Sequence, residues 1–440
     1  MKKIIFGLAV LLSSLLGAQN TISGTFSPAH EYSWLIAYRL KPGTQVYVAD
    51  TAIKNGAFTL NLKANAPAGT YRLVYAVPQE EFFFDVIYNG KENIELSFSA
   101  DNGVSFTHSE ENILFTSYFN KMNALERKII SFYSSGTTNE AAFNTILKKM
   151  KATQTSYEHK SKGLLSGEFI KANRLYTPKG YVPIQDFVAN KKKHYFTGLD
   201  FGNPTLQASG FLTDKVVNYV FTALPLEPME QKATEKEMQK NVRKVDYFTQ
   251  SVSSAYKLHL YYNLWSQAAA SAYNSLSDFI YVNYLKALAQ EEGKQEIIDA
   301  IQLHNRLRIG AIAPEITWGE KENKKSISSL EGYTNYVLVF WSSTCSHCLK
   351  ELPALQKGLK NYPATKVIAI GIEEDAVHWN TEIKNLPDFE HAIGLGKWQG
   401  AYAKLYAINQ TPSYFVLDKD KRFIAKPEDY KATIKQVSSY

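Results

Sequence analysis

The spacing of apolar and polar positions changes twice along this chain, and each change marks a different kind of architecture. Between residues 20 and 107 the period is two. Phe58-Thr-Leu60-Asn-Leu62, Tyr71-Arg-Leu73-Val-Tyr75 and Ile94-Glu-Leu96-Ser-Phe98 carry alternating patterns, as half-buried strands do. Turn dipeptides at Asn55-Gly56, Ala68-Gly69 and Asn89-Gly90 separate them. These features predict a small antiparallel β domain, of sandwich type, over 19–108. From Ser109 the period becomes helical: Phe115, Phe119, Met122, Leu125, Ile129 and Phe132 recur at steps of three and four. Helical patterning continues over 141–156, breaks at the Gly- and Pro-punctuated stretch 198–204, and resumes over 213–223, 233–248, 252–272 and 276–304. The expectation is an α-helical middle region spanning 109–305.

Beyond Ile309 the two periods alternate. An extended lead-in and a short 326–330 segment precede a strand at 336–341 and a helix at 345–360. A strand at 366–372, a helical stretch, strands at 413–417 and 422–425 around an Asp418-Lys-Asp420 turn, and a last helix from Glu428 complete the order. Alternating strands and helices that end in a hairpin predict an α/β domain over 306–440. The fold class expected is therefore multidomain. No internal repeat at a fixed period is visible.

The chain's first residues have a different character. Lys2 and Lys3 precede an apolar run over 4–16, and Gly17-Ala18 supplies small residues for cleavage. This is the pattern of a secretory signal peptide over 1–18, and the run is too short to span a membrane. No cysteine follows it to take a lipid, and no later stretch reaches about 18 consecutive apolar residues. A soluble periplasmic protein without stable membrane insertion is expected. The formal charge of +7 is mild for this length and makes no case for nucleic acid. Lysine runs at 191–193 and 324–325 read as solvated faces. Tyr261, Tyr262, Tyr281 and Tyr284 read as helix-packing surface.

The chemistry is concentrated in one place. Cys345 and Cys348 are the only cysteines in 440 residues, at C-x-x-C spacing. Before them runs Tyr336-Val-Leu-Val-Phe-Trp341, an unbroken series of β-formers readable as a buried strand. Ser342 and Ser343 turn the chain, Thr344 is the expected N-cap, and Cys345 falls in the first turn of the helix. A thiol at a helix N-terminus meets free N–H groups and the positive end of the dipole, which favour thiolate. Strand, turn and C-x-x-C at a helix start form the thioredoxin type of redox site. A purely structural disulfide here would close too short a loop to stabilise much. Haem attachment needs a histidine where Leu349 stands. A zinc site would have only His347 to add to the cysteines. A peroxiredoxin site lacks its P-x-x-x-T-x-x-C surroundings. No metal and no organic cofactor is expected.

These residues resemble the TlpA/ResA-type thiol-disulfide oxidoreductases, thioredoxin-like proteins of the bacterial envelope. The resemblance is carried by Gly310-x-x-Ala313-Pro314, by Phe340-Trp341-Ser-Ser-Thr-Cys345-Ser-His-Cys348-Leu-Lys-Glu351-Leu-Pro353, and by Thr411-Pro412-Ser-Tyr-Phe-Val-Leu-Asp418. It covers about the last 130 residues. The front two-thirds is similar only in layout to extensions found on many members. The resemblance implies a thioredoxin-like C-terminal domain in which Cys345 attacks a client disulfide and Cys348 resolves the mixed disulfide. It implies that Pro412 follows a cis peptide bond and that Thr411 presents its backbone to an extended peptide. Glu351 would tune the cysteines and move protons, since Val339 occupies the place of thioredoxin's buried acid. Substrate contacts are expected from His347, Trp341, Thr411 and Pro412. Implied partners are disulfide-containing envelope proteins and a membrane thiol donor that regenerates the dithiol.

Two positions depart from the pattern. Thr344 replaces the tryptophan usual before the first cysteine. His347 makes the site C-x-H-C, which favours the reduced form and a more oxidising couple. Electron flow therefore stays open between a reductase and a disulfide donor or isomerase. A partner- or glycan-binding protein with a vestigial redox domain is the alternative outside enzymology.

Overall fold

A computed structural model describes residues 20–319 and 323–439; the expected signal peptide lies outside them. The chain forms two compact units that part between Gly293 and Lys294. The β and helical regions thus share one unit, and helix 295–307 counts with the other.

The first unit begins with eight strands: β1 Thr21–Ser27, β2 Trp34–Lys41, β3 Thr44–Ala52, β4 Ala57–Asn61, β5 Gly69–Val74, β6 Phe83–Tyr88, β7 Ile94–Ser99 and β8 Gly103–His108. They form two four-stranded sheets, ordered β4-β1-β7-β8 and β3-β2-β5-β6. Pairing is antiparallel except between β1 and β7, which run parallel. The two sheets share one core: Ile22, Leu60 and Leu96 from one meet Leu35, Leu73 and Tyr88 from the other. Their alternating partners lie on the opposite face of each sheet, where Val74 and Ile87 are buried as well.

Ten helices follow: α1 Glu110–Ser134, α2 Glu140–Lys160, α3 Ser166–Ala172, α4 Ile184–Lys193, α5 Pro204–Gln207, α6 Phe211–Thr222, α7 Gln231–Phe248, α8 Ser254–Ala270, α9 Asn274–Ile280 and α10 Lys286–Glu291. The Met122, Leu125, Ile129 and Phe132 stripe of α1 is buried against Phe143, Leu147 and Met150 of α2. Asn112 ties the bundle to the sandwich. Its Oδ1 accepts the Ile87 N–H at 2.8 Å and its Nδ2 donates to the Ile87 carbonyl at 2.7 Å. The long helix expected over 276–304 is interrupted. A π-turn at Tyr281–Leu285 separates α9 from α10, and Gly293, at φ 66°, ends α10 in the left-handed conformation.

The second unit contains α11 Gln295–Leu307, a small hairpin of β9 Thr317–Trp318 and β10 Lys325–Ser326, then β11 Asn335–Trp341, α12 Ser346–Leu359, β12 Thr365–Glu373, α13 Val377–Glu382, β13 Glu390–Leu395, α14 Ala401–Leu405, β14 Ser413–Asp418, β15 Phe423–Ala425 and α15 Tyr430–Val437. The five-stranded sheet has the order β13-β12-β11-β14-β15. β11, β12 and β13 run parallel, and β14 and β15 are antiparallel to their neighbours. Every residue of the central strand β11 is buried, because both faces of the sheet are covered. Val337, Val339 and Trp341 pack toward α12 and α15. Tyr336, Leu338 and Phe340 pack on the opposite face with Leu307, Ala403 and Tyr406.

Candidate functional site

β11 delivers the chain to the edge of the sheet at Trp341, and the turn over 342–344 feeds directly into α12. Cys345, not Thr344, is the N-cap: its φ and ψ of −88° and 114° are extended, and its Sγ accepts the Cys348 N–H at 3.4 Å. A serine hydroxyl usually plays this part. Here the capping acceptor is the cysteine sulfur itself, an arrangement in which the helix terminus favours the thiolate form directly. Burial alone would raise the Cys345 pKa. Hydrogen bonds involving Cys348, Thr411 and the His347 backbone outweigh it and hold the thiol below its ordinary value. Cys348, one turn in, is fully buried. Burial pushes its pKa up to about 12, reinforced by its hydrogen bond to Cys345. One partly exposed sulfur whose ionisation is favoured and one buried thiol whose ionisation is opposed therefore stand within a single helical turn.

The loop preceding β14 closes the other side. Cys345 Sγ lies 3.5 Å from the Thr411 carbonyl oxygen, and the Thr411–Pro412 peptide is cis. Glu351 is half-buried, one turn beyond Cys348, and its carboxylate accepts the Tyr414 hydroxyl at 2.8 Å. Tyr414 is buried in β14. Burial raises its pKa, and the hydrogen bond and charge of Glu351, together with Cys348, raise it further. A second carboxylate stands under the turn. Glu373, 3% exposed at the end of β12, accepts the Ser343 backbone N–H and lies 3.3 Å from Ser342 Oγ. It fixes the segment that aims Cys345.

Residues 309–425 match the family model described as the AhpC/TSA family. The C-terminal unit has a thioredoxin-like fold. No curated protein is matched by sequence. Among solved structures, the thioredoxin domain of a thiol-disulfide oxidoreductase from Bacteroides vulgatus is 22% identical, over 30% of this chain and 97% of its own, with a TM-score of 0.27. A thiol-disulfide oxidoreductase from Bacteroides fragilis is 21% identical, over 30% and 98%, with a TM-score of 0.26. A thioredoxin-like protein from Bacteroides caccae is 17% identical, over 60% and 97%, with a TM-score of 0.37.

Within this thioredoxin-like domain Cys345, Cys348, Glu351, Thr411 and Pro412 converge. His347 is exposed on the first turn of α12, available to whatever approaches Cys345. Trp341 is placed differently. It is 1% exposed and packs beneath α12 with Cys348 and Leu352, so it supports the site from below and offers a client no surface. Two residues escape sequence reasoning. Tyr414 was signalled by strand alternation, which puts it and Val416 on the face of Cys348. Glu373 begins an acidic run, Glu373-Glu374-Asp375, that reads as solvent-facing. Among the described residues no group of three or more His, Cys, Asp and Glu is arranged to hold a metal. No helix among them is long and apolar enough to cross a membrane.

Proposed function

We propose that this protein is an extracytoplasmic thiol-disulfide oxidoreductase that reduces disulfides of envelope proteins through Cys345 and Cys348. The observation that carries this reading is the inequality of the two thiols on one helix turn. The Cys345 thiolate attacks one sulfur of a client disulfide; the client S–S bond breaks, its other sulfur leaves as thiolate and takes up a proton, and a mixed disulfide forms. Cys348 must then lose its proton and attack Cys345 Sγ, releasing the second client thiol. Glu351, linked to the buried face through Tyr414, is the carboxylate positioned to accept that proton. Two electrons pass to the client, and the Cys345–Cys348 disulfide is returned to dithiol by a membrane thiol donor. Thr411 and Pro412 present the backbone beside which an extended client segment aligns. The 1–18 pattern supports export. Recovery of a mature N-terminus near Gln19 from the periplasmic fraction tests that part.

The deciding experiment is the equilibrium potential of the Cys345/Cys348 couple in glutathione and dithiothreitol buffers. A value of roughly −270 mV fits a reductase fed with electrons, and one of roughly −120 mV makes the protein a disulfide donor. Failure to cycle overturns the enzyme reading. Cys348→Ser should trap clients as mixed disulfides, and a trap that stays empty in the envelope counts against turnover.

A further inference from the structure

The first unit contains a feature that redox chemistry does not use. A cleft of about 750 Å³ opens between α1, α4 and α6. Its walls are aromatic by helical spacing: Phe115 and Phe119 stand one turn apart on α1, and Phe211 opens α6, with Tyr195 just past α4. These four rings are only half-buried, whereas Phe143 and Phe169 of the same bundle are buried completely. Ring centroids lie 4.5 Å apart for Phe115 and Phe119, and 6.3 Å apart for Phe119 and Phe211.

One turn beyond Phe211, Lys215 lines the same cleft. Its Nζ lies 5.4 Å from the Tyr195 ring centroid and 5.5 Å from that of Phe211. Two of the nearby carboxylates are paired with other lysines. Glu126 pairs with Lys191 at 3.0 Å and Glu237 with Lys192 at 2.8 Å. Asp214, the residue before it, also lines the cleft; burial and the nearby Asp85 raise its pKa, with Arg72 acting against them. Lys215 makes no ion pair among the described residues. Burial lowers its pKa to about 8 despite the favourable charge of Glu126, the penalty expected for an ammonium held out of water with no anion against it.

A largely apolar pocket with a few convergent polar groups is the usual form of a small-molecule site, and here Lys215 is the cation without an ion pair among the described residues. We propose that this cleft binds an amphipathic monoanion, an aryl or alkyl carboxylate whose apolar body lies between the rings and whose anionic head pairs with Lys215. The apolar rim agrees with this: Leu226, in the loop after α6, lines the same cleft and is 46% exposed.

The test uses the full chain and two fluorescent probes of similar body, anionic 8-anilinonaphthalene-1-sulfonate and neutral N-phenyl-1-naphthylamine. The anionic probe should bind at one saturable site and be displaced by 3-phenylpropionate. Lys215→Met should weaken it at least tenfold while changing the neutral probe less than twofold. Lys215→Arg should restore anion binding, and Phe119→Ala should weaken both probes. Equal binding of the anion by wild type and Lys215→Met overturns the proposal, as does an anionic probe that 3-phenylpropionate cannot displace. A measurement on the unmodified protein removes dependence on variant folding. Saturating 3-phenylpropionate should protect Lys215 from acetylation, followed by peptide mass spectrometry, more than it protects exposed Lys240. Equal acetylation with and without ligand refutes the site.

Discussion

At the scale of single residues, two chemically identical side chains stand in unequal surroundings, and the proposed chemistry rests on that difference. Cys345 caps α12 with its own sulfur, while Cys348 is sealed beneath the helix. Iodoacetamide should therefore modify one thiol rapidly, and the rate should rise with pH around a midpoint below that of an ordinary cysteine. Cys348 should stay unmodified until the protein unfolds. Two equally fast thiols would show that the helix terminus does not distinguish them. The sign for stability follows from the same shift. Because the folded pKa of Cys345 is depressed, its stabilisation of the reduced protein is complete above the unfolded thiol pKa and is lost as pH falls through the folded value. Tyr414 carries a second prediction. Tyr414→Phe deletes the donor to Glu351 and should lengthen the life of the mixed disulfide about tenfold, short of the full range of a proton-transfer contribution. An unchanged lifetime in acid-quench experiments would remove Glu351 from the resolving step.

Among elements, close approach of backbones decides what the sequence pattern leaves open. The alternation of β7 fixes which residues face inward but carries no information about its neighbour. Its parallel partner is β1, and they approach closely at Gly24, where an added Cβ would meet the Leu96 carbonyl oxygen at 2.0 Å. Gly24→Ala must push the strands apart and should cost about 1–3 kcal/mol, read as a lower midpoint in denaturant unfolding of the first unit. A midpoint equal to wild type would show that the strands can give way. The edge strand β13 was not legible for a related reason. Small residues, Ala392 and Gly394, occupy it, and the sheet beside it is shaped by Trp379, whose ring would lie 2.6 Å from a Cβ at Gly371. Such a strand lacks the continuous run of β-branched and aromatic residues that marked β11 and β14. Helices α3 and α4 were equally obscure, being short and set among Gly163, Pro178 and Pro183.

On the scale of the whole molecule, each unit has a core of its own. The second unit packs both faces of its sheet, with Leu338 and Phe340 on one side and Val337 and Val339 on the other, and its length falls in the usual range of an independent domain. Residues 294–440 expressed alone should fold cooperatively and keep the fast thiol of Cys345. A fragment that does not melt cooperatively would mean that the first unit is needed for folding. Periodicity and C-x-x-C spacing are local properties of the chain, so the kinds of element, the change from β to helical to alternating architecture, and the candidate cysteine pair are legible before any folding is considered. Long-range packing is what brings Glu373 under the turn before Cys345, Tyr414 to Glu351, Trp341 into buried support, and Lys215 against the Tyr195 and Phe211 rings. Those relations join residues far apart in sequence, and burial, which gives each charge its meaning, exists only once the sheets and helices have closed around it.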